Sequence, residues 1–188
     1  MKIVGLSGSI TGSKTRTAME YTIKRMIDNN PNAEVTLLDL KDYDIQFSDG
    51  RNYLEYDGDT GYVVEKIMAA DIVIIGTPIF QASIPAPLKN IFDLLPENAF
   101  LDKIVGLIVT AGSAKHFLVA QQQIKPILSY MKAHIVQTYV FIEEQDFYQK
   151  KITNDDVLLR IDRLVEDIVV LAEAFHTIRE EKEAEYGF

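Results

Sequence analysis

The sequence predicts an α/β protein with a doubly wound, five-stranded parallel sheet, strand order 2-1-3-4-5 and helices on both faces. Strand-like and helix-like segments alternate along the 188 residues, as they do in chains of βαβ units. In the run DIVIIG (71–76) every residue after Asp71 is apolar, which is typical of a central strand buried on both faces. A long amphipathic helix is expected from about residue 153 onward. We expect residues 1–188 to form a single domain.

Five mostly apolar runs are the expected strands, and their order along the chain is 2–7, 33–40, 71–76, 103–113 and 135–143. The helices expected between them lie at about 14–29, 60–70, 88–95 and 115–132. In the first helix, Ala18, Tyr21, Ile23 and Met26 recur at roughly helical spacing. Pro87 suits the first turn of the third helix, because proline is tolerated where no N–H is needed.

The C-terminal helix carries one apolar stripe, composed of Val157, Ile161, Leu164, Ile168, Leu171 and Phe175. Asn154 or Thr153 is suited to cap its start. The stripe predicts a helix that packs on the sheet, with a seam between subunits as the alternative. The apolar positions alone do not separate the two.

Composition excludes several classes of function. The net charge is −9 and the sequence pI is about 4.8, which argues against a nucleic-acid surface. Cysteine is absent, so disulfides, thiol catalysis and thiolate metal sites are ruled out. No apolar run approaches the roughly 20 residues that cross a bilayer. Because the first strand begins at Lys2, no signal peptide is expected, and we predict a cytoplasmic protein that contacts neither membrane nor metal.

The loop after the first strand has the chemistry of a phosphate site. Residues 5–21 read GLSGSITGSKTRTAMEY, which matches neither G-x-x-x-x-G-K-[ST] nor G-x-G-x-x-G. A helix N-terminus offers unpaired N–H groups and positive potential to an anion. Five hydroxyl residues lie near this predicted helix start, namely Ser7, Ser9, Ser13, Thr15 and Thr17. Two cations, Lys14 and Arg16, lie there as well. The alternative is a simple helix cap with two solvated cations. A kinase is rejected because Asp71 lies at the wrong end of its strand to hold magnesium.

Two further loops would meet the first at the carboxyl edge of the sheet. The segment TPIFQASIPAP after the third strand is longer than most βα connections, which favours a function. Phe80 there offers apolar surface to a planar heterocycle, while residues 81–83 offer polar groups to its rim. The segment TAGSAKHF after the fourth strand supplies a glycine and a hydroxyl for another wall. His116 in that segment is expected to make local hydrogen bonds rather than to act as an acid or base.

Three segments together resemble the NADPH-dependent FMN reductases, which have a flavodoxin-like fold. They are GSITGSKTRT after the first strand, GTPIFQASIPAPLKNIFDLLP after the third, and GLIVTAGSAKHF followed by IKPILSYMKAH. The resemblance covers roughly residues 2–142 and is strongest to the flavin reductase components of alkanesulfonate monooxygenase systems. It implies hydride transfer from NADPH to FMN, a homodimer or homotetramer, and a flavin-dependent monooxygenase as a partner.

The resemblance also implies which residues bind the flavin. Those expected at the FMN phosphate are Ser9, Lys14, Thr15, Arg16 and Thr17. Those expected to border the isoalloxazine are Pro78, Ile79, Phe80, Gln81 and Ser83, with Thr110, Gly112 and Ser113 nearby. No catalytic acid or base is expected, because the cofactor carries the chemistry.

One position departs from the family pattern. Members that release reduced flavin often carry an aromatic residue in the fourth helix, where this chain has Gln122. Gln122 therefore favours an alternative, a quinone or azo-dye reductase that keeps its FMN. Two further alternatives are a flavodoxin-type electron carrier without nicotinamide turnover and a non-catalytic flavin-binding domain. Residues 143–153 match no pattern, although Phe147 and Tyr148 are candidates to contact a partner subunit.

Overall fold

The computed structural model describes residues 1–186, without the side chains of Glu183 and Tyr186. Six strands form one parallel sheet, and they are β1 (Lys2–Ser7), β2 (Glu34–Asp39), β3 (Ile72–Pro78), β4 (Ile104–Ala111), β5 (His134–Ile135) and β6 (Val140–Glu143). Their order is β2-β1-β3-β4-β5, with β6 also paired to β4. This is the doubly wound, flavodoxin-like order, so the predicted fold class is confirmed.

The register of the strands aligns their carboxyl ends along one edge of the sheet. Ser7 at the end of β1 lies opposite Asp39 of β2 on one side and Gly76 of β3 on the other. Pro78 of β3 lies opposite Thr110 of β4. The chain reverses its winding between β1 and β3, and ligands in such sheets bind just outside the strand ends at this switch point.

The helices cover both faces of the sheet. They are α1 (Lys14–Asn29), α2 (Gly58–Ala69), α3 (Ala86–Leu94), α4 (Lys125–Tyr130) and α5 (Asp155–Tyr186). Helices α1 and α5 pack on one face through a core that includes Met19 and Ile168. Helices α2, α3 and α4 cover the other face, where Val63, Ile91 and Leu128 are buried.

Glycine in two central strands lets α1 and α5 approach the sheet closely. A Cβ at Gly76 would overlap the side chain of Met19 on α1, and a Cβ at Gly106 would overlap Ile168 on α5. Glycine in a strand interior often marks such a close approach. The start of α1 therefore lies directly against the carboxyl end of β3, where the loops of the site begin.

Two predicted elements are interrupted in the structure. The strand expected over 135–143 is two short strands, β5 and β6, which pair with different parts of β4. The helix expected over 115–132 consists of a 3₁₀ turn (Ala114–His116), a π-helical turn (Ala120–Ile124) and α4. Pro126 explains part of the second difference, because it has no N–H for the carbonyl four residues earlier. The backbone N–H of Lys125 bonds instead to the carbonyl of Ala120, five residues back.

The C-terminal helix packs on the sheet through the first half of its apolar stripe. Val157, Ile161, Leu164 and Ile168 are buried against the sheet, as predicted. Asn154 caps the helix, because its Oδ1 accepts a hydrogen bond of 3.0 Å from the backbone N–H of Asp156. Beyond the four buried residues, Leu171 is 44% exposed, whereas Phe175 is partly buried against the same core. No helix within residues 1–186 is long and apolar enough to cross a lipid bilayer.

Candidate active site

A cavity of about 470 Å³ lies outside the carboxyl ends of β1, β3, β4 and β6. That volume is within the range of small-molecule binding sites. Eight of the fifteen predicted site residues line it, namely Ser13, Lys14, Thr15, Pro78, Ile79, Phe80, Thr110 and Gly112. The seven that do not line it are Ser7, Ser9, Arg16, Thr17, Gln81, Ser83 and Ser113.

The N-terminus of α1 forms one wall of this cavity. Its first internal hydrogen bond runs from the N–H of Thr17 to the carbonyl of Ser13, at 2.8 Å. The backbone N–H groups of residues 14–16 have no acceptor among the described residues. Gly12 leads into the helix with a φ of +76°, a left-handed conformation that favours glycine. The loop therefore presents free N–H groups and the positive end of the helix dipole to the cavity.

The hydroxyls of the first loop have different surroundings. Thr15 and Thr110 are both buried, and their Oγ1 atoms share a hydrogen bond of 2.7 Å that joins α1 to the end of β4. The Oγ of Ser9 donates to the carbonyl of Thr11 at 2.6 Å, which holds the turn in shape. The Oγ of Ser7 is buried and has no hydrogen-bond partner within the described chain. A buried hydroxyl without a partner is costly, which is typical of functional sites.

The two cations of the first loop point to different places. Lys14 lines the cavity and forms an ion pair with Glu144. Arg16 lies outside the lining, and its guanidinium contacts the carboxylates of Glu20 at 2.9 Å, Asp39 at 3.1 Å and Asp42 at 3.0 Å. The hydrogen bond to Glu20 and then the charge of Asp42 raise the pKa of Arg16. Only Lys14 of the predicted pair thus faces the cavity.

The loop after β3 forms the apolar wall and then a tight turn. Pro78, Ile79 and Phe80 line the cavity, and the ring of Phe80 remains 45% exposed. Residues 80–83 then reverse the chain through two backbone hydrogen bonds, of 3.0 and 2.9 Å, between Phe80 and Ser83. Gln81 and Ala82 both have positive φ, 50° and 56°. That geometry resembles a type I′ turn, which is strained for residues other than glycine, asparagine and aspartate.

Gln123 in the π-helical turn holds this strained turn in place. Its Nε2 donates to the carbonyl of Ala82 at 3.0 Å, and its Oε1 accepts from the Oγ of Ser83 at 2.5 Å. Ser83 is therefore occupied by a protein partner rather than facing the cavity. The loop after β4 is likewise partly self-contained, because the Oγ of Ser113 accepts a hydrogen bond of 3.1 Å from the N–H of Lys115.

Five lining residues were not among the predicted site residues, and they are Thr11, Gly12, Ala111, Glu144 and Phe147. Glu144 and Phe147 belong to the segment that no sequence pattern assigned. In the structure this segment forms a 3₁₀ turn (Glu144–Asp146) and then a hairpin of β7 (Phe147–Tyr148) and β8 (Lys151–Ile152). Glu143 lies opposite Ala111 in the sheet, so residues 144–147 follow a strand end like the other three loops. Ligands of such sheets bind outside the carboxyl ends of the strands. The same rule, applied to the last strand, could have predicted Glu144 and Phe147 as lining residues.

Free N–H groups at a helix start and an apolar wall, both at the switch point of a 2-1-3-4-5 sheet, define a flavodoxin-like protein. The comparisons with known proteins agree. The family described as NADPH-dependent FMN reductase matches residues 1–147, and the chain belongs to that family of oxidoreductases.

Two relatives and one solved structure illustrate the similarity. An NAD(P)H-dependent FAD/FMN reductase of Geobacillus thermodenitrificans is 37% identical over 90% of this chain and 92% of its own. The NADH-dependent FMN reductase SfnF of Pseudomonas fluorescens is 28% identical over 86% of each chain. The apo form of the NADH:FMN oxidoreductase EmoB superimposes with a TM-score of 0.75 over 89% of this chain and 87% of that one, at 24% identity. The resemblance inferred from the sequence is confirmed.

Proposed function

We propose that this chain reduces FMN with NAD(P)H and passes the electrons of reduced flavin to a second acceptor, such as a partner flavin-dependent monooxygenase. One observation carries the proposal: the free N–H groups at the start of α1 and the apolar wall 78–80 face the same cavity. A mononucleotide of a planar heterocycle needs both, an anion site at one end and an apolar surface at the other.

The residues present fit the phosphate end of FMN. Ser13, Lys14 and Thr15 line the cavity at the helix N-terminus and supply N–H groups, one cation and hydroxyls. The buried hydroxyl of Ser7, which lacks a partner in the described chain, lies at the end of the adjacent strand. Ser9, Arg16 and Thr17 remain predicted phosphate ligands, but Arg16 would first have to leave its three carboxylates.

The opposite side of the cavity fits the flavin ring. Pro78, Ile79 and Phe80 offer apolar surface, and Thr110 and Gly112 border it. Gln81, Ser83 and Ser113 remain predicted neighbours that do not line the cavity. FMN, when bound, supplies the redox chemistry by accepting a hydride from the nicotinamide. The chain's own contribution is to anchor the phosphate, orient the ring and exclude water from one of its faces.

The test is anaerobic mixing of flavin-free protein with FMN and either NADPH or NADH. The proposal expects flavin absorbance at about 450 nm to bleach at a rate proportional to protein concentration. A flavodoxin-type carrier or a non-catalytic domain would leave the absorbance unchanged, and that result would refute the proposal. Lys14→Gln should lower the affinity for FMN about tenfold or more, because a charge-assisted hydrogen bond contributes about 1.5–3 kcal/mol. Asp93→Asn, on α3 and outside the cavity lining, is the control.

A quinone or azo-dye reductase with retained FMN is the second candidate. Gln122 favours it, because this residue stands in the π-helical turn where flavin-releasing members often carry an aromatic residue. Gel filtration of FMN-loaded protein separates the two functions. A retained yellow cofactor supports the second candidate, and loss of the flavin supports the first.

A homodimer or homotetramer located in the cytoplasm is part of the proposal. Phe80, which lines the cavity, is 45% exposed, and Phe117 and Leu118 in the segment after β4 are 47% and 56% exposed. Exposed apolar surface of this kind favours burial between subunits. Light scattering coupled to gel filtration measures the molar mass, and a mass of 21.3 kDa, that of one chain, would contradict this part.

A further inference from the structure

Glu144 is the only carboxylate that lines the cavity, within the described residues, and Lys14 is the only cation. The two side chains are paired with each other across it. Lys14 belongs to the first turn of α1, whereas Glu144 follows β6 at the other side of the sheet's carboxyl edge. The cation best placed to attract a phosphate therefore already has an anionic partner from the protein itself.

The backbone that carries Glu144 is firmly held. The buried carboxylate of Asp146 accepts hydrogen bonds from the N–H of Glu143 at 2.8 Å and from the Nδ2 of Asn154 at 2.7 Å. The carbonyl of Asp146 also accepts from the N–H of Thr153 at 2.9 Å. These bonds tie the turn to the residues just before α5. Glu144 thus stands on a fixed support, although its own side chain is 67% exposed.

The pair changes the electrostatics of an incoming phosphate. An anion at the start of α1 must either displace Glu144 from Lys14 or bind beside an uncompensated carboxylate. The bond to Lys14 lowers the pKa of Glu144, so this side chain stays ionised at neutral pH and remains a competitor. An exposed ion pair changes an equilibrium constant by up to about fivefold. Repulsion of a phosphate dianion by Glu144 adds to that factor.

We propose that Glu144 is a specificity-determining residue that competes with the flavin phosphate for Lys14 and thereby makes FMN easier to release. This inference rests on the proposed function, because it requires the phosphate of FMN at the start of α1. It concerns the phosphate alone, so flavins without one should not sense Glu144. The chain would then bind FMN as an exchangeable substrate partly because of its own carboxylate.

The experiment compares Glu144→Gln with wild type in binding FMN and riboflavin. Flavin-free protein is titrated into each flavin at low ionic strength, and quenching of flavin fluorescence gives the dissociation constants. We expect Glu144→Gln to lower the dissociation constant of FMN by about three- to tenfold. The dissociation constant of riboflavin should stay within about twofold of the wild-type value. The dissociation rate of FMN, measured by stopped flow, should fall by a similar factor.

Three further variants make the result specific. Asp93→Asn removes one carboxylate from a comparable exposed ion pair, Lys89–Asp93, which lies on α3 outside this cavity. It should change the dissociation constant of neither FMN nor riboflavin. In a Lys14→Gln background, Glu144→Gln should lower the dissociation constant of FMN by a clearly smaller factor than it does in wild type. The reason is that the Lys14 ammonium, which Glu144 would otherwise hold, is then absent. Glu144→Ala provides a second removal of the charge if the glutamine variant folds poorly.

The outcomes separate this inference from the proposed function. FMN binding that is unchanged or weakened in Glu144→Gln, with wild type still binding FMN, overturns the role of Glu144 alone. An equal gain in affinity for FMN and riboflavin in Glu144→Gln also overturns the role of Glu144, because the effect would then not act through the phosphate. Failure of wild type to bind FMN at all removes the proposed function, and this inference with it.

Discussion

The hydrogen bond between Thr15 and Thr110 joins the start of α1 to the end of β4 in the central sheet, and a double-mutant cycle tests its contribution. Both side chains are buried, 3% and 4% exposed, and their Oγ1 atoms lie 2.7 Å apart. Thr15→Val or Thr110→Val alone leaves a buried hydroxyl without a partner, which costs about 1–3 kcal/mol. Valine has nearly the shape of threonine, so the double variant loses both polar groups and creates little cavity.

The cycle predicts strong non-additivity. Each single variant of flavin-free protein should unfold at a Tm lower by about 2–4 °C per kcal/mol lost. The double variant should be destabilised by clearly less than the sum, with a coupling free energy of about 1–2 kcal/mol. Circular dichroism during urea unfolding gives the free energies of unfolding.

A buried threonine in the same helix provides the matched control. The Oγ1 of Thr22 donates at 2.8 Å to the carbonyl of Ala18, an acceptor within its own helix. Because helix bonding already satisfies that carbonyl, Thr22→Val should cost less than about 1 kcal/mol. Additivity of Thr15→Val and Thr110→Val within about 0.5 kcal/mol would refute the reasoning, since two independent hydroxyls would then be the correct description.

Three other substitutions test the site and its support. Gln123→Ala removes both side-chain hydrogen bonds to the strained turn and should lower the affinity for FMN about two- to tenfold in fluorescence titrations. Gln122→Ala should not lower it. Equal effects of the two substitutions would contradict the role of Gln123 in holding the turn. Arg16→Ala should change FMN affinity less than about threefold, because the guanidinium is held by three carboxylates outside the cavity. A loss of tenfold or more would instead show that Arg16 leaves these carboxylates and binds the phosphate. Gly76→Ala should lower the free energy of unfolding by about 1–3 kcal/mol through overlap with Met19, and an unchanged urea midpoint would count against it.

The sequence was sufficient for the central strands because β3 and β4 are buried on both faces. Continuous apolar runs such as 72–76 have few alternatives in a chain that alternates strands and helices. The start of α1 was also predictable, since hydroxyls, glycine and cations cluster there for a local reason. The fold could thus be predicted from patterns within a few residues of each other, and the phosphate role of the loop before α1 stays a prediction.

What the sequence could not provide depends on contacts between distant residues. Nothing local in Gln81 and Ala82 indicates positive φ, because glycine or asparagine normally marks such turns. Their conformation is held by Gln123, about 40 residues later. Arg16 was predicted at the phosphate from its neighbours in sequence, but the carboxylates of Asp39 and Asp42 determine its direction. Such pairings require the tertiary structure.

The carboxylate of Asp146 has a consequence for how the protein tolerates damage. Its hydrogen bond to Asn154 joins one edge of the 470 Å³ cavity to the residues just before the 32-residue helix α5, so the connection is at the N-terminal end of that helix. Its far half carries mostly exposed side chains beyond Leu171. Proteolytic trimming from the C-terminus should therefore shorten the helix turn by turn while ligand affinity persists. Affinity would fall only when cleavage reaches the turns packed on the sheet.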